Sequence, residues 1–184
     1  MSQSQSPNLR MIVFACLFTA LVIIGGYISV PLGPVPIVLA DFFVMLAGLF
    51  LGASWGCASV GLYLFLGVLG LPVFAGGKAG LAVLFGPTGG FLVGYLIGVF
   101  LIGLIARKGQ ASFIKDLIAL IIGNIVIYGL GVPWLKLVLK VSWEQAAALG
   151  VLPFMPAMII KIIVAMILIR ILRPLLDSVI TNQR

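Results

Sequence analysis

The sequence lacks histidine altogether and contains only 4 acidic side chains and 2 cysteines. Histidine is both the commonest general base and the commonest metal ligand. Its absence excludes hydrolysis by a serine–histidine pair, and we expect no catalytic residues, no bound metal and no cofactor. Cys16 and Cys57 lie inside apolar segments. This position is typical of small packing residues rather than of a disulfide or a reactive thiol.

Charged residues are also scarce, at 8% of the 184 residues, against roughly 25% in an average soluble domain. Mean hydropathy is +1.34. The uncharged runs 11–40, 42–77, 79–106 and 117–135 each reach or approach the ~20 residues that cross a bilayer as a helix. We therefore predict an all-α protein embedded in membrane lipid, with six transmembrane helices in a single bundle. The net charge of +7 does not indicate nucleic acid, because the basic residues lie at the ends of apolar segments.

Six helices are predicted, with short connections between them. They cover about 11–30, 37–52, 57–71, 87–106, 117–139 and 156–172, with a turn at 52–56. The transmembrane domain spans 10–176, between a polar tail at 1–9 and a C-terminal tail at 177–184.

The distribution of lysine and arginine predicts the orientation. Seven basic residues fall on the side of the termini: Arg10, Arg107, Lys108, Lys115, Arg170, Arg173 and Arg184. Three fall on the other side: Lys78, Lys136 and Lys140. Since cytoplasmic loops carry an excess of basic residues, both termini are expected in the cytoplasm.

The segment 71–90, LPVFAGGKAGLAVLFGPTGG, is too rich in glycine and proline for a membrane helix. Backbone that breaks a helix at membrane depth must be buried in protein or line a cavity. This predicts a small-molecule site at the outer face, in which Gly76 and Gly77 let backbone N–H groups approach a ligand. Phe74 could stack on that ligand, Lys78 could reach an anionic group, and Tyr95 could face the same cavity. Gly77-Lys78-Ala79 lacks the Ser or Thr and the glycine spacing of a Walker A loop, so the chain does not hydrolyse ATP.

Two charged residues, Asp41 and Lys161, are embedded within predicted helices. Each follows a helix-starting proline, Pro36 or Pro156, by five residues. At ~1.5 Å of rise per residue, both would lie roughly 7–8 Å below the outer surface, at one depth. They could form a structural ion pair or hold a polar ligand between or beside them. Asn124, inside the fifth helix, is a buried polar side chain that needs a partner in the protein or the ligand.

Small residues recur on two helices. Gly86, Gly90, Gly94 and Gly98 form a ridge along the fourth helix, which favours close packing inside the protein or, alternatively, against a partner. On the first helix, two small-xxx-small pairs could likewise pack internally or form a groove for a partner. They are Ala15, Cys16, Thr19 and Ala20.

Several motifs together resemble the BioY family, the biotin-binding S-components of energy-coupling-factor (ECF) transporters. The motifs are PLGPVPIVL (31–39), LAGLFLG (46–52), GLPVFAGGKAGLAVLFGPTGGFLVGY (70–95), GVPWL (131–135) and GVLPF (150–154) with Lys161. The resemblance implies six helices and an outward-opening biotin site, roofed by the loop between the third and fourth helices. It also implies uptake through a prokaryotic plasma membrane, with a transmembrane coupling protein and two cytoplasmic ATPases as partners.

The resemblance also suggests roles for the residues singled out above. Asp41 could accept the ureido N–H pair of biotin, while Lys161 or Lys78 meets the ligand carboxylate or the ureido oxygen. The small-residue face of the first helix resembles the docking motif of the family. One departure is visible: Ala157 and Met158 stand where the family usually has Gly-Asp. We hypothesise that Asp41 supplies the missing carboxylate. The alternatives are an S-component for another small vitamin and a stand-alone secondary permease.

Overall fold

The computed structural model of the protein is almost entirely helical. It describes the backbone of residues 7–106 and 112–181 and the side chains of residues 9–106 and 112–173. Within these ranges the helices are α1 (Pro7–Tyr27), α2 (Ala40–Val68), α3 (Leu81–Phe85), α4 (Gly89–Ala106), α5 (Phe113–Leu139), α6 (Trp143–Gly150) and α7 (Met155–Thr181). Strands β1 (Ser29–Val30) and β2 (Ile37–Val38) pair antiparallel between α1 and α2.

The helix ends differ from the prediction at both termini. Helix α1 begins at Pro7 and α7 extends to Thr181, so both enter segments that were expected to be tails. Helix α1 also ends at Tyr27 rather than near 30, because the chain turns into β1 ahead of its proline-rich turn. The predicted cytoplasmic residues Arg107, Lys108 and Arg184 lie outside the described residues.

Five of the described helices are long and apolar enough to cross a membrane: α1, α2, α4, α5 and α7. Helix α2 contains both the second and the third predicted helices, joined at Gly52, whose backbone is not helical (φ 78°, ψ −172°). A β-carbon on Gly56 would lie 3.4 Å from the Ala47 carbonyl oxygen, although nine residues of straight helix span about 13.5 Å. The chain therefore folds back on itself at Gly52. The turn that was expected over 52–56 is confined to this residue.

The glycine ridge of α4 packs against α5. A β-carbon on Gly94 would lie 2.9 Å from Ile127 Cα, and one on Gly98 would lie 2.9 Å from Ile127 Cγ1. Such distances leave no room for a side chain, so the two helices pack at backbone contact. Gly90 similarly faces Trp134 of α5. These three residues therefore pack internally, whereas Gly86 instead offers its carbonyl oxygen to the Trp134 indole N–H (3.0 Å).

Helix α7 is attached to the bundle differently. Only 22% of its apolar span is buried, against 67% for α2. An ion pair joins it to the bundle near each end of this span. Lys161 contacts Asp41 of α2 at 2.7 Å, and Arg173 forms two hydrogen bonds with Asp116 of α5, at 2.8 and 2.9 Å. Charge pairing therefore replaces much of the packing that holds the other helices.

Candidate ligand-binding site

A cavity lies at the end of the bundle where the glycine-rich loop connects α2 to α4; we call this the loop end. Its empty volume is about 710 Å³, a figure that includes space open to solvent. The walls come from α1, α2, α4, α5, β2 and the turn before it, the segment between α6 and α7, and the loop itself. Of the residues predicted to bind ligand, four line this cavity: Asp41, Phe74, Lys78 and Tyr95.

Asp41 and Lys161 form the buried ion pair that was one of the two interpretations of the sequence. Lys161 Nζ donates to both carboxylate oxygens, at 2.7 and 2.9 Å, and to the Val38 carbonyl at 2.7 Å. These three bonds use all the donors of an ammonium group. Asp41 lines the cavity, whereas Lys161 lies behind it and is not a lining residue. Lys161 therefore acts as the counter-ion of Asp41.

Residues 71–79, which we call the lid, form a compact turn over the cavity. The Phe74 N–H donates to the Lys78 carbonyl and the Gly77 N–H donates to the Phe74 carbonyl, both at 2.9 Å. The Phe74 side chain is only 1% exposed, because its ring fills the space above Gly67, where a β-carbon would clash with it. Gly76 and Gly77 permit the turn through positive φ values of 67° and 76°. They are not lining residues, so a direct contact between their amides and a ligand stays a prediction.

Lys78 is the cation of the cavity wall. Among the residues that the structure describes, no carboxylate forms an ion pair with it. Its position in the lid places a positive charge at the loop-end side of the cavity. An anionic group of a ligand could therefore pair with Lys78 without displacing a protein partner.

An aromatic wall, most of which was not predicted from the sequence, lines the cavity; it consists of Tyr63, Phe91, Tyr95, Tyr128 and Phe154. Phe91, Tyr128 and Phe154 contact one another with ring centroids 5.9–6.4 Å apart. Tyr63 meets the Phe74 ring edge-on at 5.4 Å. In the described part of the chain, no hydrogen bond occupies the hydroxyls of the three tyrosines. A tyrosine in the middle of an apolar helix was the available signal, since its hydroxyl requires a polar partner.

Asn124 lies outside the cavity lining. Its amide nitrogen donates to the Leu120 carbonyl at 2.8 Å and contacts the Met45 sulfur at 3.1 Å. Its side-chain oxygen is buried without a partner. The amide nitrogen of Asn124 therefore has its partner in the protein, whereas the oxygen has none among the described residues, and binding to ligand stays a prediction.

The small-residue face of α1 divides into two strips. Ala15 and Thr19 are buried against α2, and the Thr19 hydroxyl lies 2.9 Å from both the Ala15 and the Ser59 carbonyl oxygens. Cys16 and Ala20 are exposed. Of the four predicted docking residues, only these two are available to a partner, because Ala15 and Thr19 already pack internally.

The helices and the cavity define a class of protein: a helical membrane protein with a partly polar cavity at one end of its bundle. The model of the BioY family matches residues 1–178. The chain is 44% identical over 157 residues to the biotin transporter BioY of Thermotoga maritima, covering 85% of this chain and 92% of that protein. It is 42% identical over 159 residues to the probable biotin transporter BioY of Pyrococcus horikoshii, covering 86% and 93%.

A solved structure agrees with this assignment. The fold is similar to the crystal structure of the S-component for biotin from an ECF-type ABC transporter. The TM-score is 0.85 and the identity is 32%, with 95% of each chain covered. The chain belongs to the BioY family, and the resemblance predicted from its motifs is confirmed.

Proposed function

We propose that this protein is the substrate-binding S-component of an ECF-type importer and that its ligand is biotin. It captures the vitamin and delivers it across the membrane with a transmembrane coupling protein and two ATPases, and it catalyses no bond chemistry. One observation carries the proposal: the cavity combines a buried carboxylate, an aromatic wall and a lysine that forms no ion pair with any described residue. Biotin offers matching groups, namely a ureido ring with N–H donors, an apolar bicycle and a carboxylate.

The ion pair determines how Asp41 would meet the ureido group. A carboxylate has about four acceptor positions. Two are used by Lys161 and one by the Phe42 N–H, which donates to Oδ1 at 3.0 Å. One position therefore remains, on Oδ2, for a single ureido N–H. This differs from the expectation that Asp41 accepts both donors. We assign the second N–H, or the ureido oxygen, to the tyrosine hydroxyls of the aromatic wall.

Lys78 would hold the opposite end of the ligand. Lys161 has no donor left for the ligand carboxylate, whereas Lys78 is unpaired among the described residues and lies in the lid. Biotin therefore enters with its ureido ring toward Asp41 and its carboxylate toward Lys78. The rings of Phe74 and the aromatic wall enclose the apolar bicycle between these two polar ends.

The proposed topology has six membrane crossings, because the chain folds back at Gly52. Both termini lie in the cytoplasm of a prokaryotic cell. The described basic residues Arg10, Lys115, Arg170 and Arg173 then lie near the inner surface, while Lys78, Lys136 and Lys140 lie toward the outer surface. This distribution follows the positive-inside rule and opens the cavity to the outside.

The proposed docking surface for the coupling protein is the exposed pair Cys16 and Ala20 on α1. The two residues are four apart, so they lie on one face of the helix, and both are small enough for another helix to approach closely. Ala15 and Thr19 support this surface from within by fastening α1 to α2.

Native mass spectrometry of the purified full-length protein tests the ligand. We expect one bound biotin, weaker binding of biotin methyl ester, and no binding of thiamine or riboflavin. The ester is the matched control, because it keeps the ureido ring and removes only the charge that Lys78 would recognise. Binding of another vitamin in preference to biotin would contradict the proposed specificity.

A further inference from the structure

The end of α1 is fastened to the lid at successive residues. A β-carbon on Gly26 would lie 3.2 Å from the Val73 carbonyl oxygen, so the backbones are in close contact there. The Tyr27 hydroxyl donates a hydrogen bond to the Pro72 carbonyl. The Tyr27 ring also covers Gly77, where a β-carbon would lie 3.4 Å from the ring. The lid therefore rests on α1 along one edge.

The lid is a compact segment between two glycines. Backbone hydrogen bonds among Phe74, Gly77 and Lys78 lie within it, and one from the Leu71 N–H to the Leu66 carbonyl, at 3.1 Å, joins it to α2. Gly70 and Gly80 flank it, with φ values of 97° and 86°, and neither has another atom within 4 Å of its β-carbon position. Glycine at positive φ in open space permits large backbone rotations at little cost. The N–H groups of both glycines donate to the Gly67 carbonyl of α2, at 3.2 and 2.7 Å, so the two residues act as hinges only when these bonds break.

We propose that Tyr27 is the latch of the lid: a positioning residue that keeps Phe74 and Lys78 over the bound ligand. The proposal rests on the proposed function, because the ligand it retains is biotin. Tyr27 is not a lining residue and is 53% exposed, so it acts through the lid and not through contact with biotin. Opening the lid breaks the bond from Tyr27 to Pro72, and the latch therefore slows release of the ligand.

Removing the Tyr27 hydroxyl should change the rate at which the ligand is released. A neutral hydrogen bond that exists only in the closed state should change the opening equilibrium by roughly two- to twelve-fold. In Tyr27→Phe, which keeps the ring over Gly77, the dissociation rate of biotin should rise by this factor. The ligand-free lid makes the same bond, so association through the open lid should accelerate by no more than this factor.

The experiment uses the full-length protein in lipid nanodiscs. Association and dissociation of radiolabelled biotin are measured for wild type and Tyr27→Phe, together with thermal stability. The matched control is Trp143→Phe, another exposed aromatic residue, whose ring contacts Lys136 and not the lid. We expect faster dissociation only in Tyr27→Phe, with equal thermal midpoints. An unchanged dissociation rate would overturn the latch, and so would an equal effect of Trp143→Phe.

A second measurement does not depend on biotin. The Gly80 N–H donates to the Gly67 carbonyl of α2 at 2.7 Å, and lifting the lid releases it. Hydrogen exchange of this amide in the ligand-free protein should accelerate in Tyr27→Phe by the same two- to twelve-fold factor. If the wild type binds no biotin, the proposed function fails while this exchange still decides the latch. Unchanged exchange at Gly80 would overturn the latch alone.

Discussion

Replacing the two residues of the buried ion pair, singly and together, should distinguish the contribution of each to protein stability from its contribution to ligand binding. The three variants are Asp41→Asn, Lys161→Met and the double replacement. Both side chains are about 10% exposed, and Lys161 gives all its donors to Asp41 and Val38. Lys161 therefore serves the protein, while Asp41 keeps one acceptor for the ligand.

The expected magnitudes follow from this division. Lys161→Met leaves a buried carboxylate without its counter-ion, which should lower the free energy of unfolding by about 3–5 kcal/mol. The double variant removes both charges, and its stability should return close to wild type, because a buried pair replaced by groups of similar shape is often neutral. It should not regain biotin affinity. Loss of a hydrogen bond to a charged acceptor costs about 1.5–3 kcal/mol, or roughly 10- to 150-fold in affinity.

Thermal unfolding and equilibrium biotin binding in nanodiscs measure the two effects on the same samples. The informative comparison is between Lys161→Met and the double variant, since both lack the lysine and only one keeps the carboxylate. A double variant that binds biotin with wild-type affinity would remove Asp41 from the site. A Lys161→Met protein as stable as wild type would show that the lysine is not the counter-ion.

Three further predictions follow from the site and the docking surface. Lys78→Met should lower the equilibrium affinity for biotin about tenfold but leave the affinity for biotin methyl ester unchanged. An equal loss of affinity for both ligands would refute pairing between Lys78 and the biotin carboxylate. Adding Met158→Asp to Asp41→Asn should recover part of the lost biotin affinity, because the new carboxylate lies one turn before Lys161 on α7. No recovery would contradict the hypothesis that Asp41 supplies the carboxylate that is missing at position 158. Ala20→Trp should abolish uptake in cells without changing binding by the purified protein, whereas Ala15→Trp should destabilise the fold; loss of both uptake and binding in Ala20→Trp would point to a folding role instead.

Helix breaks and isolated charges both cost free energy within a membrane segment. They are therefore rare there, and their positions could be predicted from the sequence. The proline spacing placed Asp41 and Lys161 at one depth, and the structure brings them into contact. The glycine content of 71–90 likewise predicted an irregular segment beside a cavity. The turn at Gly52 was predicted too broadly, because one glycine at positive φ suffices to reverse the chain.

The faces of the helices could not be predicted in the same way. In a soluble helix the polar face marks the outside, but lipid and protein interior are both apolar, so residues such as Phe91 carry no directional signal. The same ambiguity affects α1, where the 15/19 pair and the 16/20 pair are equally small. Thr19 could have distinguished them, since its hydroxyl needs an acceptor such as the Ser59 carbonyl.

The two ion pairs of α7 have a consequence for its alignment in the bilayer. Lys161 and Arg173 are twelve residues apart, which corresponds to about 18 Å along the helix axis and ~120° around it. Sliding by one residue would displace both groups by about 1.5 Å and rotate them by ~100°, away from both acids at once. Hydrocarbon chains offer little resistance to either movement. The depth of this helix in the bilayer and its rotation about its own axis are thus determined by the four side chains of the two ion pairs rather than by its apolar surface.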